Sequence, residues 1–501
     1  MPSSPTKTAY TRVHWIRGRA GPSHVPAYIS CLKMAGIAEG LGDITRIECP
    51  DPDRPGSFVE IGEIRGARDR PTTTLTGRYF ANAASELKEI ADLSCALDVQ
   101  LNVGECKNVS IFGEFEKKLV FEAAEFTNYS TDDLGALSSD ENAVVNEMVD
   151  LSAAKWYEVL PIAFTEAAKA VVTNELIDVV ICGPASCGEC GSESDGCYHA
   201  YAISKAAGGS PGTPPDIVHT IDKGSNWYAD DIDSLSAAED PDGVACLGKY
   251  VVVVSHASNS LHYALKSEID DVDFNEAWTE VATGFVGGCE PRDIWTAGGV
   301  AWICGDNGYV YKTVDPTVGV TVVDAGDAVV DNLLAIHALS AKFAVAGGSN
   351  GAVVVTTDGE IFTACNRPFG IGISVTCIWC IDENVWLLGS STGRLYYTLD
   401  AGNSWAEKAF PGSGAGVVRD IQFPTRTIGY LAHSIAGPEG RILRSYDGGY
   451  SWAIVPEATG KILPANDYVG ALATCPEDMN FVIGAGLAAN GADGLLVVGQ
   501  D

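Results

Sequence analysis

The stretch Ser445-Tyr446-Asp447-Gly448-Gly449-Tyr450-Ser451-Trp452 decides the fold of most of this chain. It follows the pattern S-x-D-x-G-x-x-W. In such a turn the Ser and Asp side chains hydrogen-bond to the backbone of their own turn. The Gly supplies a positive φ, and the Trp folds back to cover the turn. The pattern predicts the corner of a β-hairpin, and it contains no base beside a nucleophile.

The same turn recurs at regular intervals. Complete and decayed copies place their Asp residues at Asp222, Asp270, Asp315, Asp358, Asp400 and Asp447. The steps are 48, 45, 43, 42 and 47 residues, a period typical of one four-stranded blade. We therefore predict a β-propeller over residues 176–501, with seven blades and six as the alternative. A strand near residues 160–175 could close the last blade, whose edge would otherwise be exposed.

These turns resemble the Asp-box (BNR) repeats of sialidase-like propellers and of the related Ycf48-like propellers. In those families the box lies at the periphery of the blade, away from the central site. The resemblance therefore implies a structural role for the Asp and Trp of the three complete boxes, which are Asp222, Trp227, Asp400, Trp405, Asp447 and Trp452.

A sialidase also needs an arginine triad, a Tyr nucleophile with a Glu partner, and an Asp acid. Arginines are few in residues 176–501, and no Phe-Arg-Ile-Pro signature precedes the first box. We predict that the protein is not an enzyme, and a sialidase-like glycoside hydrolase is the third hypothesis.

Residues 1–175 have a different pattern, which predicts a mainly antiparallel α+β domain. Ser85–Leu97 carries apolar residues at helical spacing and is expected to form a helix. The segments 40–57 and 65–76 are expected to be long exposed loops, the second entering a strand.

This block resembles the tail-tube proteins of long-tailed bacteriophages. The resemblance lies in Gly62–Gly66, Pro71–Gly77, the 85–97 segment running into Leu101–Gly104, and Asn146–Leu151. It implies a β-sandwich or barrel with one flanking helix, which assembles into stacked and probably hexameric rings. The two long loops are the expected contacts between rings.

Charge excludes one class of function. The chain has 32 Lys and Arg against 66 Asp and Glu, a formal net charge of −34. Such a surface repels phosphates, so we do not expect a DNA-gripping protein. Neither a signal-peptide pattern nor an apolar run long enough to span a membrane is found in the sequence, which suggests synthesis in a cytoplasm.

Four of the 15 cysteines cluster in one Gly- and Ser-rich segment, at Cys182, Cys187, Cys190 and Cys197. Four thiols on one loop could bind Zn²⁺ tetrahedrally, form two disulfides, or stay free. The spacing matches no common zinc module closely, so all three readings stay open, and no other cofactor is expected.

Other candidate ligands have simpler interpretations. Cys377 and Cys380 form a C-x-x-C pattern, but residues i and i+3 of a strand point to opposite faces, so we expect two core thiols. His256 and His262 flank a turn and are expected to be polar surface groups.

The leading hypothesis is a virion structural protein that forms a tail tube from its first domain (residues 1–175) and displays the propeller (176–501) outside as a decoration or adhesion domain. Expected partners are further copies of the chain, other tail proteins, DNA passing without specific binding, and a host-surface glycan or protein, with no membrane. The alternative is a non-enzymatic binding propeller, an assembly factor or a glycan or protein reader.

Overall fold

The computed structural model describes residues 8–14, 27–34, 44–50, 58–65, 71–80, 97–104, 117–131, 144–160, 162–169, 174–182, 199–206, 214–270, 278–435, 439–455, 467–475, 478–488 and 493–500. Two compact units divide the chain, one comprising Met1–Ile16 and Pro22–Pro161, the other Arg17–Gly21 and Ile162–Asp501. Among the described residues, no helix has the length and hydropathy needed to cross a membrane.

The first unit is built from antiparallel strands. They are β1 Thr8–His14, β2 Ala27–Met34, β3 Ile44–Pro50, β4 Phe58–Arg65, β5 Thr72–Phe80, β6 Leu97–Gly104, β7 Lys117–Thr131, β8 Val144–Ser152 and β9 Lys155–Val159.

Six of these strands close a barrel in the order β1-β2-β5-β8-β7-β6, because β6 pairs with both β7 and β1. The long strand β7 makes closure possible, since its first half pairs with β6 and β9 and its second half with β8. Leu119, Phe121, Val149 and Leu151 are buried, as expected of a barrel interior.

One loop prediction in this unit was wrong. Part of the 40–57 segment is strand β3, which pairs with β4 from Ile44 opposite Arg65 to Pro50 opposite Phe58. The turn residues of 51–57 dominated the sequence pattern and hid the strand before them. The predicted 85–97 helix lies outside the described residues up to Leu97, which begins β6.

The second unit contains seven four-stranded antiparallel sheets, which confirms a β-propeller. Blades 1 to 3 comprise β11 Leu176–Cys182, β12 His199–Ser204, β13 Asp216–Thr220 and β14 Tyr228–Asp231; β15 Gly243–Leu247, β16 Tyr250–Ser255, β17 Ser260–Leu265 and β18 Thr279–Val281; β19 Pro291–Ala297, β20 Val300–Gly305, β21 Tyr309–Thr313 and β22 Thr321–Ala325.

Blades 4 to 6 comprise β23 Leu333–Ala338, β24 Ala344–Gly348, β25 Val353–Thr356 and β26 Thr363–Ala364; β27 Val375–Cys380, β28 Trp386–Ser390, β29 Leu395–Thr398 and β30 Ala406–Lys408; β31 Val417–Gln422, β32 Gly429–Ile435, β33 Glu439–Ser445 and β34 Ala453–Ile454. One short helix, α1 Lys266–Ile269, and the 3-10 turns Asp306–Gly308, Pro316–Val318 and Ser349–Gly351 lie between strands.

The seventh blade is assembled from distant parts of the chain. It contains β35 Tyr468–Thr474, β36 Val482–Leu487 and β37 Gly494–Gln500, and its outer strand is β10 Ala163–Lys169. In this pairing Phe164 lies opposite Gly499. The predicted start of the propeller is residue 176, whereas the second unit already includes Ile162, because β10 belongs to its last blade.

The first strands of consecutive blades contact each other in an unbroken circle, from β11 through β35 and back to β11. Many of these blade strands are apolar on both faces, as in Tyr250–Ser255, because each blade is covered on both sides by its neighbours. Between blades 1 and 2, for example, Tyr201, Val253 and Trp278 form one buried cluster.

Candidate binding face of the propeller

The two ends of the propeller differ in what they carry. Strands alternate in direction within each blade, so all first strands begin at the same end. We name this end the loop face. It comprises the connections between blades and the turns between second and third strands, which include residues 232–242, 256–259, 282–290, 306–308, 326–332, 349–352, 365–374, 391–394 and 409–416. The Asp boxes join third to fourth strands and lie at the opposite end, the box face.

The third box is fully hydrogen-bonded within itself. Ser445 Oγ donates to Asp447 Oδ1 at 2.9 Å and accepts from the Gly449 N–H at 2.8 Å. Asp447 Oδ1 accepts from the Ser451 N–H at 2.8 Å, and Trp452 Nε1 donates to the Gly449 carbonyl at 3.0 Å. Gly449 has φ +84°, the left-handed conformation that the sequence pattern requires.

The other complete boxes repeat this geometry. Asp222 accepts from the Asn226 N–H and Asp400 from the Ser404 N–H, both at 2.8 Å. Trp227 Nε1 donates to the Gly224 carbonyl at 3.1 Å. Trp405 differs, because its Nε1 donates at 2.7 Å to the carbonyl of Asn366 in the connection between blades 4 and 5. The box side chains therefore hold corners of the fold, and Trp405 also ties its box to the start of the 365–374 connection.

Of the four predicted Cys ligands, Cys182 is the one that lies within the described residues. Cys182 forms a disulfide with Cys246, with their Cα atoms 5.9 Å apart, and this bond joins the first strands of blades 1 and 2. A bonded sulfur cannot also coordinate Zn²⁺. Cys187, Cys190 and Cys197 lie outside the described residues. No group of three or more His, Cys, Asp or Glu side chains in the described part is arranged to hold a metal.

Cys377 and Cys380 are both buried free thiols and belong to two different apolar clusters on opposite sides of blade 5, as predicted from their spacing. The expectation for His262 was wrong, because its side chain is fully buried. Ser234 bonds its Nδ1 at 2.7 Å, and Ser258 and Ser260 lie 3.1 and 3.0 Å from its Nε2. These hydroxyls provide hydrogen-bond partners for both ring nitrogens, so burying the His262 side chain costs little free energy.

A cleft of about 360 Å³ opens on the loop face between blades 3 and 4. The connection 326–331 forms one side, and Val353, Cys365 and Arg367 lie on the other. Val330 lines the cleft with 77% of its surface exposed, and Ile371, in the same connection as Arg367, is 86% exposed. Two apolar side chains this exposed beside a concave surface are typical of a binding site.

Hydrogen bonds fix the shape of this cleft. The Asp331 carboxylate accepts from Arg367 Nη2 at 2.6 Å and from Asn350 Nδ2 at 2.8 Å. Arg367 Nη1 donates to the Asn350 carbonyl at 2.6 Å, and the Gly372 N–H donates to Asn350 Oδ1 at 3.0 Å. Three separate loops are thereby held together, and the bond to Gly372 fixes the backbone next to Ile371.

Three carboxylates lie on first strands around the propeller axis. Asp178 Oδ1 accepts from the Val179 N–H and its Oδ2 from the Val244 N–H of the next blade, both at 2.8 Å. Asp293 and Asp420 make the equivalent pairs of bonds, with acceptor distances of 2.7 to 2.8 Å, to their own strand and to Ile336 and Leu472 of the next blade. Each Asp therefore clamps two first strands together, and we name the three residues the axial carboxylates.

Burial raises the pKa of the axial carboxylates. It raises the pKa of Asp178 to about 7 and that of Asp420 to about 6, and it raises the pKa of Asp293 well above the ordinary value. The charge of Asp420 adds to the effect on Asp178, and the charge of Asp178 adds to the effect on Asp293. The accepted N–H bonds act in the opposite direction.

Sequence reasoning missed both the cleft and the axial carboxylates. The signal for the carboxylates is an Asp followed by a β-branched residue inside an otherwise apolar first strand, as in Asp178-Val179, Asp293-Ile294 and Asp420-Ile421. The cleft has no such signal, because it forms from three loops that are distant in sequence.

We expect Asp447→Ala to lower the free energy of unfolding of the propeller by about 1–3 kcal/mol, because buried donors lose their acceptor. Asp447 is only 5% exposed, whereas Asp400 has the same bonds in an exposed box. Chemical denaturation of both variants measures the difference. Equal losses in Asp447→Ala and Asp400→Ala would contradict the role assigned to burial.

The axial carboxylates predict a pH dependence of stability. Their pKa values are higher in the folded chain than the value of about 3.9 in an unfolded one. Their contribution to stability is therefore complete below about pH 4 and is lost as the pH rises towards 7. Denaturation between pH 5 and pH 7.5 should show a weaker fall of stability with pH in the double variant Asp178→Asn/Asp420→Asn than in the natural chain. An unchanged slope would contradict this, and Asp315→Asn, on the box face, serves as the control.

Comparison with known proteins indicates likeness of fold only. No protein-family model matches the chain, and no curated protein matches it. Among solved structures, Ycf48 bound to D1 peptide is 13% identical, with a TM-score of 0.49 over 68% of this chain and 96% of that one. Ycf48 from Cyanidioschyzon merolae is 15% identical, with a TM-score of 0.48 over 68% and 98%. The WD40 propeller domain of Doa1 is 10% identical, with a TM-score of 0.47 over 66% and 96%. The propeller assignment rests on the seven sheets of the chain itself.

Proposed function

We propose that the chain is a non-enzymatic binding protein whose propeller recognises a peptide segment of a partner protein at the loop face. The observation that carries this proposal is the cleft between blades 3 and 4, which exposed Val330 lines, together with exposed Ile371 in the connection that supplies Arg367 to the cleft. An apolar side chain of the partner would enter the cleft and cover both residues. Burying them removes apolar surface from water, which is the main driving force of such contacts.

The rigidity of the cleft favours binding. The bonds among Asp331, Asn350 and Arg367 already hold the loops in place, so little conformational freedom is lost when a partner docks.

The titratable groups of the cleft are poorly suited to catalysis. Burial raises the pKa of the Cys365 thiol to about 12, so it is not a nucleophile near neutral pH. The hydrogen bond from Asn350, followed by those from Arg367, lowers the pKa of Asp331 despite burial, which makes it a poor general acid. The directions of both pKa shifts support a binding site over a catalytic site.

A second candidate function is the virion tail-tube subunit, in which the first unit forms stacked rings and the propeller is displayed outside. The closed six-stranded antiparallel barrel with the separate hairpin β3–β4 favours it, because the resemblance to tail-tube proteins implies a β-sandwich or barrel with elements that reach between rings. This candidate is compatible with binding at the loop face, since display places a binding propeller outward.

Selection from a random peptide library tests the binding proposal on the full chain. We expect enriched peptides to share a large apolar residue and to bind Val330→Asp and Ile371→Asp at least about 10-fold more weakly, because each change puts a charge against an apolar side chain. Val318→Asp is the matched control, since Val318 is 67% exposed on the box face. Equal binding by all three variants would contradict a loop-face site.

Electron microscopy of the purified full chain tests the second candidate. Rings or tubes of stacked rings are the expected result if the first unit builds a tail tube. Strictly monomeric particles at all concentrations would overturn the tail-tube function and leave the binding function of the propeller standing.

A further inference from the structure

Arg419 lies near the start of β31, the first strand of blade 6, and its side chain is exposed at the loop face. Arg292, Arg367, Arg394 and Arg426 each form an ion pair with a carboxylate. In the described part of the chain, the contacts of Arg419 are instead a hydroxyl and an aromatic ring. An unpaired guanidinium is unexpected in a chain with a net charge of −34.

Two contacts orient this guanidinium. Its Nε donates to Ser434 Oγ at 2.9 Å, and its central carbon lies 5.3 Å from the centre of the Tyr468 ring. Stacking on a ring and a bond at Nε leave the edge with the two terminal nitrogens available. That edge is the one that binds a carboxylate through two parallel hydrogen bonds.

The acid whose charge acts on Arg419 has other partners. Glu175 is the carboxylate whose charge acts on Arg419, but it accepts from the Tyr468 hydroxyl and forms an ion pair with Lys205. Tyr468 thus holds Glu175 with its hydroxyl and Arg419 with its ring. Because Lys205 is paired with Glu175, the charge of Glu175 is already balanced without Arg419.

We propose that Arg419 binds a carboxylate of the partner segment that docks on the loop face. The inference rests on the proposed binding function and adds a charged contact to it. The cleft lies between blades 3 and 4, and Arg419 lies on blade 6 of the same face. The shared ligand chemistry is a carboxylate, from either an Asp or Glu side chain or a chain terminus. Most of the protein surface is negatively charged and repels an acidic segment. An exposed arginine without a carboxylate partner therefore determines where such a segment can bind.

The test uses nuclear magnetic resonance of the Arg Nε–H groups in the full chain, with the Arg419 signal assigned by its loss in Arg419→Lys. The probes are hexaglutamate capped at both ends, an acetylated glycine hexapeptide with a free carboxyl terminus, and the same hexapeptide amidated as the neutral control. We expect the Arg419 signal to move with one or both of the carboxylate probes and to stay in place with the neutral one. The probe that moves it identifies the source of the carboxylate.

The affinity for that probe should fall about 10-fold or more in Arg419→Gln, as expected for the loss of a charge-assisted hydrogen bond, and less in Arg419→Lys. Arg394→Gln removes an exposed arginine that is already paired with Glu407. This control should change the affinity for the probe less than about twofold, because an exposed ion pair contributes little. An unmoved Arg419 signal, or equal weakening in Arg419→Gln and Arg394→Gln, would overturn the proposal. If library-selected peptides still bind Arg419→Gln with full affinity through the cleft, the carboxylate site fails while the binding function stands.

Discussion

The pairing of β10 with β37 is the constraint on which the propeller depends. Blades 1 to 6 are each formed from consecutive strands, but the seventh takes its outer strand from Ala163–Lys169. This pairing joins the two ends of the row of blades into a ring and covers the edge of β37. The circle of contacts among first strands, and with it the loop face, exists only while the ring is closed.

Inside the ring, hydrogen bonds of buried polar groups fix the register between blades, which apolar packing alone does not. The axial carboxylates each accept two N–H bonds, one from their own strand and one from the next blade. Apolar packing between sheets is tolerant of small shifts, whereas a hydrogen bond of this kind fixes one register. The disulfide Cys182–Cys246 adds a covalent link across one of the same interfaces, between blades 1 and 2. These links between first strands near the axis fix the positions of the blades, and with them the positions of the loops on the loop face.

The sequence predicted those features that depend on neighbouring residues. The Asp-box is a local turn, so Ser445 to Trp452 and its copies predicted the blades, their number and a closing strand. Features that join distant residues could not be predicted in this way. Cys246 pairs with Cys182 across 64 residues, His262 is satisfied by Ser234 across 28 residues, and Val330 and Arg367 line the cleft from separate connections. The hairpin β3–β4 was missed in part because its turn-forming residues outweighed a short strand.

The closure of the ring also sets an order of events during synthesis of the chain. Lys169 pairs with Leu495, so the outer strand of the last blade is made 326 residues before its partner. At a translation rate of about 5–20 residues per second, β10 waits on the order of 15–70 s for β37. Throughout that interval its edge is available to other strands. The growing chain must protect this one strand longer than any other in the propeller.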